Sequence, residues 1–290
     1  MSDQVVIVGP GRMGLAMGAA LTQVGAVRRL VFFGRELEPP PHPLFDAGAH
    51  VAEYRIGPGP VPEGTTIVLV AVPDDRIAEV AQSLARAGQA PPGCVALHLS
   101  GALPTDALAP LHAAGYAVGS LHPLQAVADP WSGGDRLIGS AFAIAGEPPA
   151  MAAGRRLIYA LQGRALVVPP TLRPHYHAAA VFASNYLVAL VAAAARLLGY
   201  AGVGEGDALP ALLPLIRGTL DNLEHLGPAA ALTGPIARGD VDTVRLHLAR
   251  LSPDDRALYC ALGREALRLA RVAGLDPGRA AELDAILGSS

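Results

Sequence analysis

The sequence predicts an α/β chain in two parts, an open parallel sheet covered by helices and then an all-helical region. Three observations carry this. Strand-like runs alternate with helical patterns through the first half. A glycine-rich turn joins the first of those strands to the first helix, and beyond Pro169-Pro170 only helical patterns remain. The proline pair therefore sets the expected boundary, with a sheet domain over residues 1–168 and a helical domain over residues 169–290.

The elements follow in order. Val5-Val6-Ile7-Val8 is a buried strand. Gly9-Pro10-Gly11-Arg12-Met13-Gly14 comes next, then an amphipathic helix carrying Leu15, Met17, Ala20, Leu21 and Val24. The second strand is Arg29-Leu30-Val31-Phe32-Phe33. Residues 36–64 are rich in Pro and Gly, with a short extended piece near His50-Val51-Ala52-Glu53. Residues 66–71 form a continuous apolar strand ending at Val72-Pro73-Asp74-Asp75, where Asp74 or Asp75 is expected to cap a helix running to about Arg86. A strand over 95–99 ends at Ser100-Gly101, a helix covers 105–113, and a strand over 116–121 ends at His122-Pro123. Strands at 141–145 and 165–168 flank a helix over 149–161. Helices are then expected over 173–198, 207–225, 228–237, 240–250, 253–272 and 277–287.

Composition narrows the classes. Hydrophobic residues make up 51% of the 290 and charged residues 16%, enough for a large core and against disorder. A net charge of −3 argues against a nucleic-acid surface. All 22 basic residues are arginine, so no lysine can serve as acid, base or Schiff-base former. Cys94 and Cys260 are too few and too distant for a disulfide framework or metal site, and both read as small buried residues. The run from Ala178 to Leu198 is long enough to span a bilayer, but Ser184, Asn185 and Arg196 interrupt it. A fully buried helix at a domain or dimer core is the expectation. With no signal-peptide pattern at the N-terminus, a cytoplasmic protein is expected.

The glycine turn sits in the context that makes it informative, after a buried strand and at a helix start. Gly9 permits a tight turn, Gly11 a close approach of a pyrophosphate, and Gly14 close helix–sheet packing, with the helix N-terminus facing the phosphates. Where an NAD site places a carboxylate after the second strand, this chain has Gly34-Arg35. An arginine there pairs with a 2′-phosphate, which favours NADP(H), although Glu36 follows and can serve a ribose. Ligands of open α/β sheets bind at the carboxyl ends of the strands. Gly9, Pro10, Gly11, Arg12, Met13, Gly14, Gly34, Arg35, Val72 and Pro73 are thus the expected cofactor residues, and Ser100 and His122 fall at the nicotinamide end.

Several polar residues stand out beside them. His122 is aimed by the following Pro123. His177, Ser184 and Asn185 lie at i, i+7 and i+8 of the long apolar helix, on one face. Residues 232–240 are dense in small and polar groups; Asp240 is expected to cap the next helix with Gly239 shaping the turn, while Thr233 and Arg238 are free to meet a substrate. His225 and His247 read as structural.

These residues together resemble the Rossmann-like proteins with a C-terminal domain of unknown function, DUF2520. The resemblance rests on Gly9–Gly14, Val72-Pro73-Asp74, 98–102, 122–125, Ser184-Asn185-Tyr186 and Leu232–Asp240. It implies relatives among pyrroline-5-carboxylate reductase, ketopantoate reductase, the 6-phosphogluconate and 3-hydroxyisobutyrate dehydrogenases and F420-dependent NADP reductase. A helical domain of the 6-phosphogluconate dehydrogenase C-terminal type is implied, with an active site between the domains and a homodimer through the C-terminal helices. Ketopantoate reductase and the hydroxyacid dehydrogenases use a lysine as acid/base. By spacing His177 stands near that position in ketopantoate reductase, with Asn185 on an asparagine eight residues later. The expected function is an NADP(H)-dependent oxidoreductase moving a hydride to or from a C=O or C=N carbon of a small, carboxylate-bearing substrate. His177 is the first proton donor and His122 the second; Asn185, Ser100, Ser184 and Thr233 orient the substrate and Arg238 holds its carboxylate. Ketopantoate-like 2-oxo acids are implied by resemblance alone. The alternatives are an NADP(H)-binding sensor without turnover and an F420-dependent NADP reductase.

Overall fold

A computed structural model describes residues 3–46 and 52–288. The chain divides into two compact units, Met1–Asn185 and Tyr186–Ser290.

The first unit is built on an eight-stranded sheet. Its strands are β1 (Asp3–Val8), β2 (Val27–Gly34), β3 (Ala52–Ile56), β4 (Ile67–Val70), β5 (Val95–His98), β6 (Ala117–Pro123), β7 (Ala141–Gly146) and β8 (Arg164–Val167), in the order β3-β2-β1-β4-β5-β6-β7-β8. Val5, Val6, Ile7 and Ile67 to Val70 are fully buried, because both faces of a parallel sheet are covered by helices. One face packs α1 (Arg12–Gln23), α4 (Pro130–Leu137) and α5 (Pro148–Ala160) over Ile7, Leu30, Phe32, Leu97 and Phe142. The other packs α2 (Ile77–Ala87) and α3 (Ala109–Ala113) over Val6, Val68, Val70 and Ala96. Of the expected extended piece near residue 50, Ala52-Glu53 lie in β3, and His50-Val51 lie outside the described residues.

Two expectations need correction here. The sheet is not wholly parallel, since β6 and β7 pair antiparallel, with His122 opposite Ala143, and β8 follows β7. The connection from β6 turns back because α4 docks on α1 instead of crossing the sheet. Side chains on Gly133 or Gly134 would meet Ala16 at 2.9 Å or Ala19 at 3.0 Å, so only glycine permits this approach. Nor does Asp74 or Asp75 cap α2; a turn of 3-10 helix at Asp74–Arg76 precedes it, without a side-chain cap, and the Asp74 carboxylate accepts from Ser100 instead.

The expected single helix over 173–198 is two, α6 (Arg173–Ala183) and α7 (Asn185–Tyr200), broken at Ser184 (φ −122°, ψ −74°). His177, Ser184 and Asn185 therefore do not share one continuous helix face. Nor is this stretch fully buried: Ala193 is the only buried residue of α7, and Phe182, Tyr186 and Val188 are exposed. By length and composition alone, Pro170–Tyr200 is one helical stretch able to cross a membrane. Against that reading, Arg173 at its start is buried and hydrogen-bonded to the sheet unit, and Arg196 near its end pairs with Asp255.

The second unit is helical. After α7 come α8 (Glu205–Ala231, broken at Gly227, φ +72°), α9 (Pro235–Arg238), α10 (Val241–Leu248), α11 (Pro253–Val272) and α12 (Pro277–Gly288). Its core is Ile236, Val241, Val244, Leu248, Leu267, Leu283 and Leu287, from α9 to α12. Asp240 caps α10 by accepting from the Thr243 amide, with Gly239 in the left-handed conformation before it, as the residue pattern predicts. Ser252 caps α11 in the same way, through the Asp255 amide.

Candidate active site

The glycine turn divides into positions the chain needs and one it does not. Gly9 has φ +101°, and a methyl there would lie 2.7 Å from the Ala71 carbonyl oxygen. A methyl on Gly14 would lie 2.1 Å from the Gly9 carbonyl oxygen, so α1 can sit on the turn only without that side chain. Gly11 is different: a methyl there meets nothing within 4 Å. Fold packing asks nothing of Gly11, whereas a pyrophosphate laid against the backbone does. Gly11 is also the N-cap of α1 and supplies no side-chain acceptor, which leaves the first-turn amides open to an anion. The residues present thus fit a dinucleotide.

A cavity of about 590 Å³ opens above this turn, lined among others by Gly9, Pro10, Gly11, Gly34, Arg35, Val72, Pro73 and Arg76. Arg12 is exposed at the start of α1, Met13 packs against the core and Gly14 is buried, and none of the three lines this cavity. Gly34 lets Tyr54 close the cavity wall, since a methyl there would fall 2.3 Å from its hydroxyl oxygen. Arg35 is exposed and makes no ion pair among the described residues. Arg76, on a different wall, pairs with Glu79 at 3.2 Å. A second, more open cavity of about 650 Å³ in the second unit is lined by Leu275, Ala280 and Ala281 and by the Arg271–Asp284 pair, joined at 2.8 Å.

Along the same sheet edge, at the ends of β5 and β6, lies a cluster of polar side chains. Asp74, just past the cavity residue Pro73, accepts from Ser100 Oγ at 2.8 Å. Ser100 Oγ accepts in turn from the Ala102 and Leu103 amides, so its hydrogen-bonding capacity is spent within the loop. Arg173 of α6 is buried among these groups, donating to Ser120 Oγ and to the Ser100 carbonyl, each at 2.6 Å. Among the described residues it makes no salt bridge, and its Nε has no partner. Burial holds this guanidinium below its ordinary pKa, with Tyr176 and Asp74 opposing. His98 is fully buried and its Nδ1 accepts from the Ser100 amide. Burial first, and the Arg173 charge second, push its pKa down to about 4.

His122 and His177 meet over Gly101. A methyl on Gly101 would lie 2.8 Å from His122 Nε2 and 2.8 Å from His177 Nδ1, so only glycine lets both rings approach. The rings stand 6.2 Å apart and nearly perpendicular. His122 Nδ1 is 2.7 Å from the Tyr176 hydroxyl, while His177 Nδ1 is buried without a partner. Burial, then the neighbouring His177 and Arg173, lower the His122 pKa to about 4. His122 is therefore a neutral imidazole at pH 7, a donor or acceptor of hydrogen bonds and not a standing acid. Burial likewise raises Tyr176 to about 12, so its phenol keeps its proton.

The structure thus brings Ser100, His122 and His177 together, and brings Gly9–Gly11, Gly34, Arg35, Val72 and Pro73 together around the cavity. Ser184 is half-buried at the break between α6 and α7, and Asn185 is exposed beside it. Thr233 and Arg238 are exposed in the second unit, before and at the end of α9. His225 bonds its own helix at the Asp221 carbonyl and His247 the Tyr259 hydroxyl, both structural contacts. Sequence reasoning gave no role to Arg173 or Tyr176, and met His98 and Gly101 only within the 98–102 motif. One signal was present for Arg173 and Tyr176: they stand four positions and one position before His177, and so on the same helix turn.

Comparison with known proteins places these observations. Residues 46–123 match the Rossmann-like domain family, and residues 140–266 match the domain of unknown function DUF2520. No curated protein matches the chain. Among solved structures, protein TM1727 from Thermotoga maritima is similar at 22% identity and a TM-score of 0.71, covering 93% of this chain and 99% of that one. The candidate NADP oxidoreductase BF3122 from Bacteroides fragilis is similar at 23% identity and a TM-score of 0.66, over 93% and 97% of the two chains. Pyrroline carboxylate reductase from Plasmodium falciparum, solved with NADP bound, is similar at 12% identity and a TM-score of 0.61, over 99% and 98%. At such identities the likeness is one of fold. The chain carries a Rossmann-like domain followed by a DUF2520 domain.

Proposed function

We propose that this protein is an NADP(H)-dependent oxidoreductase acting on a C=O or C=N carbon of a small, carboxylate-bearing substrate. The observation that carries the reading is the open space over Gly11 inside a cavity edged by Arg35. The Gly9–Gly11 backbone and the first-turn amides of α1 would hold the pyrophosphate, Val72 and Pro73 would flank the nucleotide, and Arg35 would take a 2′-phosphate. The cofactor, when bound, supplies or accepts a hydride at its nicotinamide ring. What remains for the chain is position, a hydrogen bond to the reacting heteroatom and a proton. His177 fits the proton donor first and His122 second, because both end at one point beside the strand ends. Fold likeness to the Aspergillus terreus reductive aminase, solved with NADPH at a TM-score of 0.57, supports the same reaction class.

The test is a titration with NADPH and NADH followed by NADPH oxidation over a panel of 2-oxo acids and cyclic imines. Tight NADPH binding with turnover that falls in His177→Ala is expected; binding of neither nucleotide contradicts the reading.

The same reading includes a homodimer through the helices of the second unit. Its support is the apolar surface those helices leave in water, with Val188, Tyr200 and Leu215 each about two-thirds exposed or more. Sedimentation at micromolar concentration tests it, and a monomer there contradicts it.

A further inference from the structure

The loop that carries Arg35 is tied down on both sides of that residue. Before it, the Gly34 carbonyl accepts from the Gly57 amide at 2.6 Å. After it, the Glu36 carbonyl accepts from the Tyr54 hydroxyl at 2.8 Å. A carbonyl oxygen can only accept, so the phenol is the donor of the second bond. Burial first, and the Glu36 charge second, raise the Tyr54 pKa above its ordinary value, which keeps that proton in place at pH 7. Both ties come from one neighbour, β3 and the turn that follows it, paired in parallel with β2.

The phenol is itself held. Its ring meets Phe45 edge-on with centroids 5.9 Å apart, and Phe45 meets Phe32 of β2 in the same manner at 5.2 Å. A methyl on Gly34 would lie 2.3 Å from the hydroxyl oxygen and 2.6 Å from a ring carbon, so the tyrosine reaches Glu36 only because residue 34 is glycine. What the loop offers the cavity makes its conformation matter. One guanidinium, Arg35, and two carboxylates, Glu36 and Glu38, line the same space. A 2′-phosphate is drawn to the first and repelled by the others, whereas a bare 2′-hydroxyl donates to a carboxylate.

We propose that Tyr54 is a positioning residue for nucleotide choice: through the Glu36 carbonyl it holds the 34–36 loop so that the cavity meets a 2′-phosphate with Arg35 and not a bare ribose with Glu36. The choice of nucleotide rests on the cofactor reading above; the tie itself does not. Arg35 touches the phosphate, and Tyr54 acts only through the loop that carries Arg35. Released from the tie, the loop can bring either Arg35 or Glu36 to the ribose. Ordering a long side chain and its backbone at the moment of binding costs affinity, and a loop ordered beforehand avoids that loss. The gain falls on the nucleotide that Arg35 recognises, so it appears as selectivity.

The experiment compares the full wild-type chain with Tyr54→Phe, which keeps the ring and removes only the hydroxyl. In calorimetric titrations the ratio of NADPH to NADH affinity should fall about three- to tenfold, the worth of one neutral hydrogen bond, with the loss on NADPH. Adenosine 2′,5′-bisphosphate against adenosine 5′-monophosphate, a pair that differs only in the 2′-phosphate, should show the same change. In an Arg35→Ser background Tyr54→Phe should leave the ratio where it is, because the two residues act through one contact. Equal loss for both nucleotides, or an undiminished effect in the Arg35→Ser background, overturns the proposal, since either makes Tyr54 a cavity wall and nothing more. A second arm measures backbone order parameters by nitrogen relaxation without nucleotide. Residues 35–37 should lose order in Tyr54→Phe while β2 keeps its own, and unchanged order there overturns the tie. Wild-type binding of both nucleotides without preference overturns the specificity role and leaves the dinucleotide reading intact. Binding of neither sinks the cofactor reading and the specificity role with it, and leaves the relaxation result to decide the tie.

Discussion

The cradle formed by the glycine turn and the histidine cluster lie along one edge of one sheet, yet they are made in opposite ways. The cradle is local. A strand, a turn and a helix within residues 3–23 shape it, and its key position, Gly11, is defined by empty space. The cluster is assembled from afar, since Arg173 reaches back to Ser120 and Ser100 across 53 and 73 residues, and its key positions are defined by crowding. On the function proposed above, the open space over Gly11 is where the cavity would take its ligand. In the crowded cluster, His177 Nδ1 is buried with no hydrogen-bond partner among the described residues.

Substitutions can separate the two. The largest expected effect is on turnover: His177→Ala should lower kcat by roughly 10²- to 10⁴-fold, the usual weight of a general acid, with NADPH affinity unchanged. Steady-state kinetics beside a nucleotide titration reads both. Next comes the contrast between two glycines of one turn. Gly14→Ala should cost about 1–3 kcal/mol of stability through overpacking against Gly9, whereas Gly11→Ala should leave stability within about 0.5 kcal/mol and weaken NADPH binding. Denaturant melts with and without NADPH distinguish them, and equal destabilisation by both would remove the ligand argument for Gly11.

Arg35→Ser should cut the preference for NADPH over NADH by about 10- to 100-fold, the worth of one charged hydrogen bond. Parallel titrations with the two nucleotides give the ratio. The smallest effect is on pH. His98 and His122 have pKa values of about 4 in the folded chain against 6.5 in the ordinary range, so the unfolded chain binds more protons between those values. Their neutral burial is harmless above pH 6.5, and stability should fall as pH drops from 6.5 towards 4. The slope is up to roughly 1 kcal/mol per pH unit for each histidine, less for the partly open His122. A flat stability curve through that window would contradict the buried neutral histidines.

What the sequence revealed tracks the same contrast. The strand, glycine turn and helix were legible because each signal lies within a few residues, and the bounds of α11, Pro253–Val272, fell where the sequence put them. Two histidines of the cluster were legible as residues, but not their meeting, because Gly101 reads as an ordinary turn glycine until both rings are placed against it. Arg173 entered the sequence reading only as the start of a helix, and its burial against Ser100 and Ser120 depends on contacts far along the chain. Asp74 reads as a helix cap and is instead drawn to Ser100 by the pairing of β4 with β5. The helix α4 escaped notice because Gly133-Gly134 disfavour a helix; they stand there for the close contact with α1, which no local signal encodes. The reversal at β7 follows from that contact and was hidden with it.

The central claim is that the space over Gly11 holds a nicotinamide dinucleotide. Calorimetric titration of the wild-type chain and Gly11→Ala with NADPH and NADH tests it most directly. The account predicts one site per chain, NADPH bound more tightly than NADH, and loss of affinity in a Gly11→Ala variant that melts like wild type. Binding of neither nucleotide, or wild-type affinity in Gly11→Ala, would contradict it.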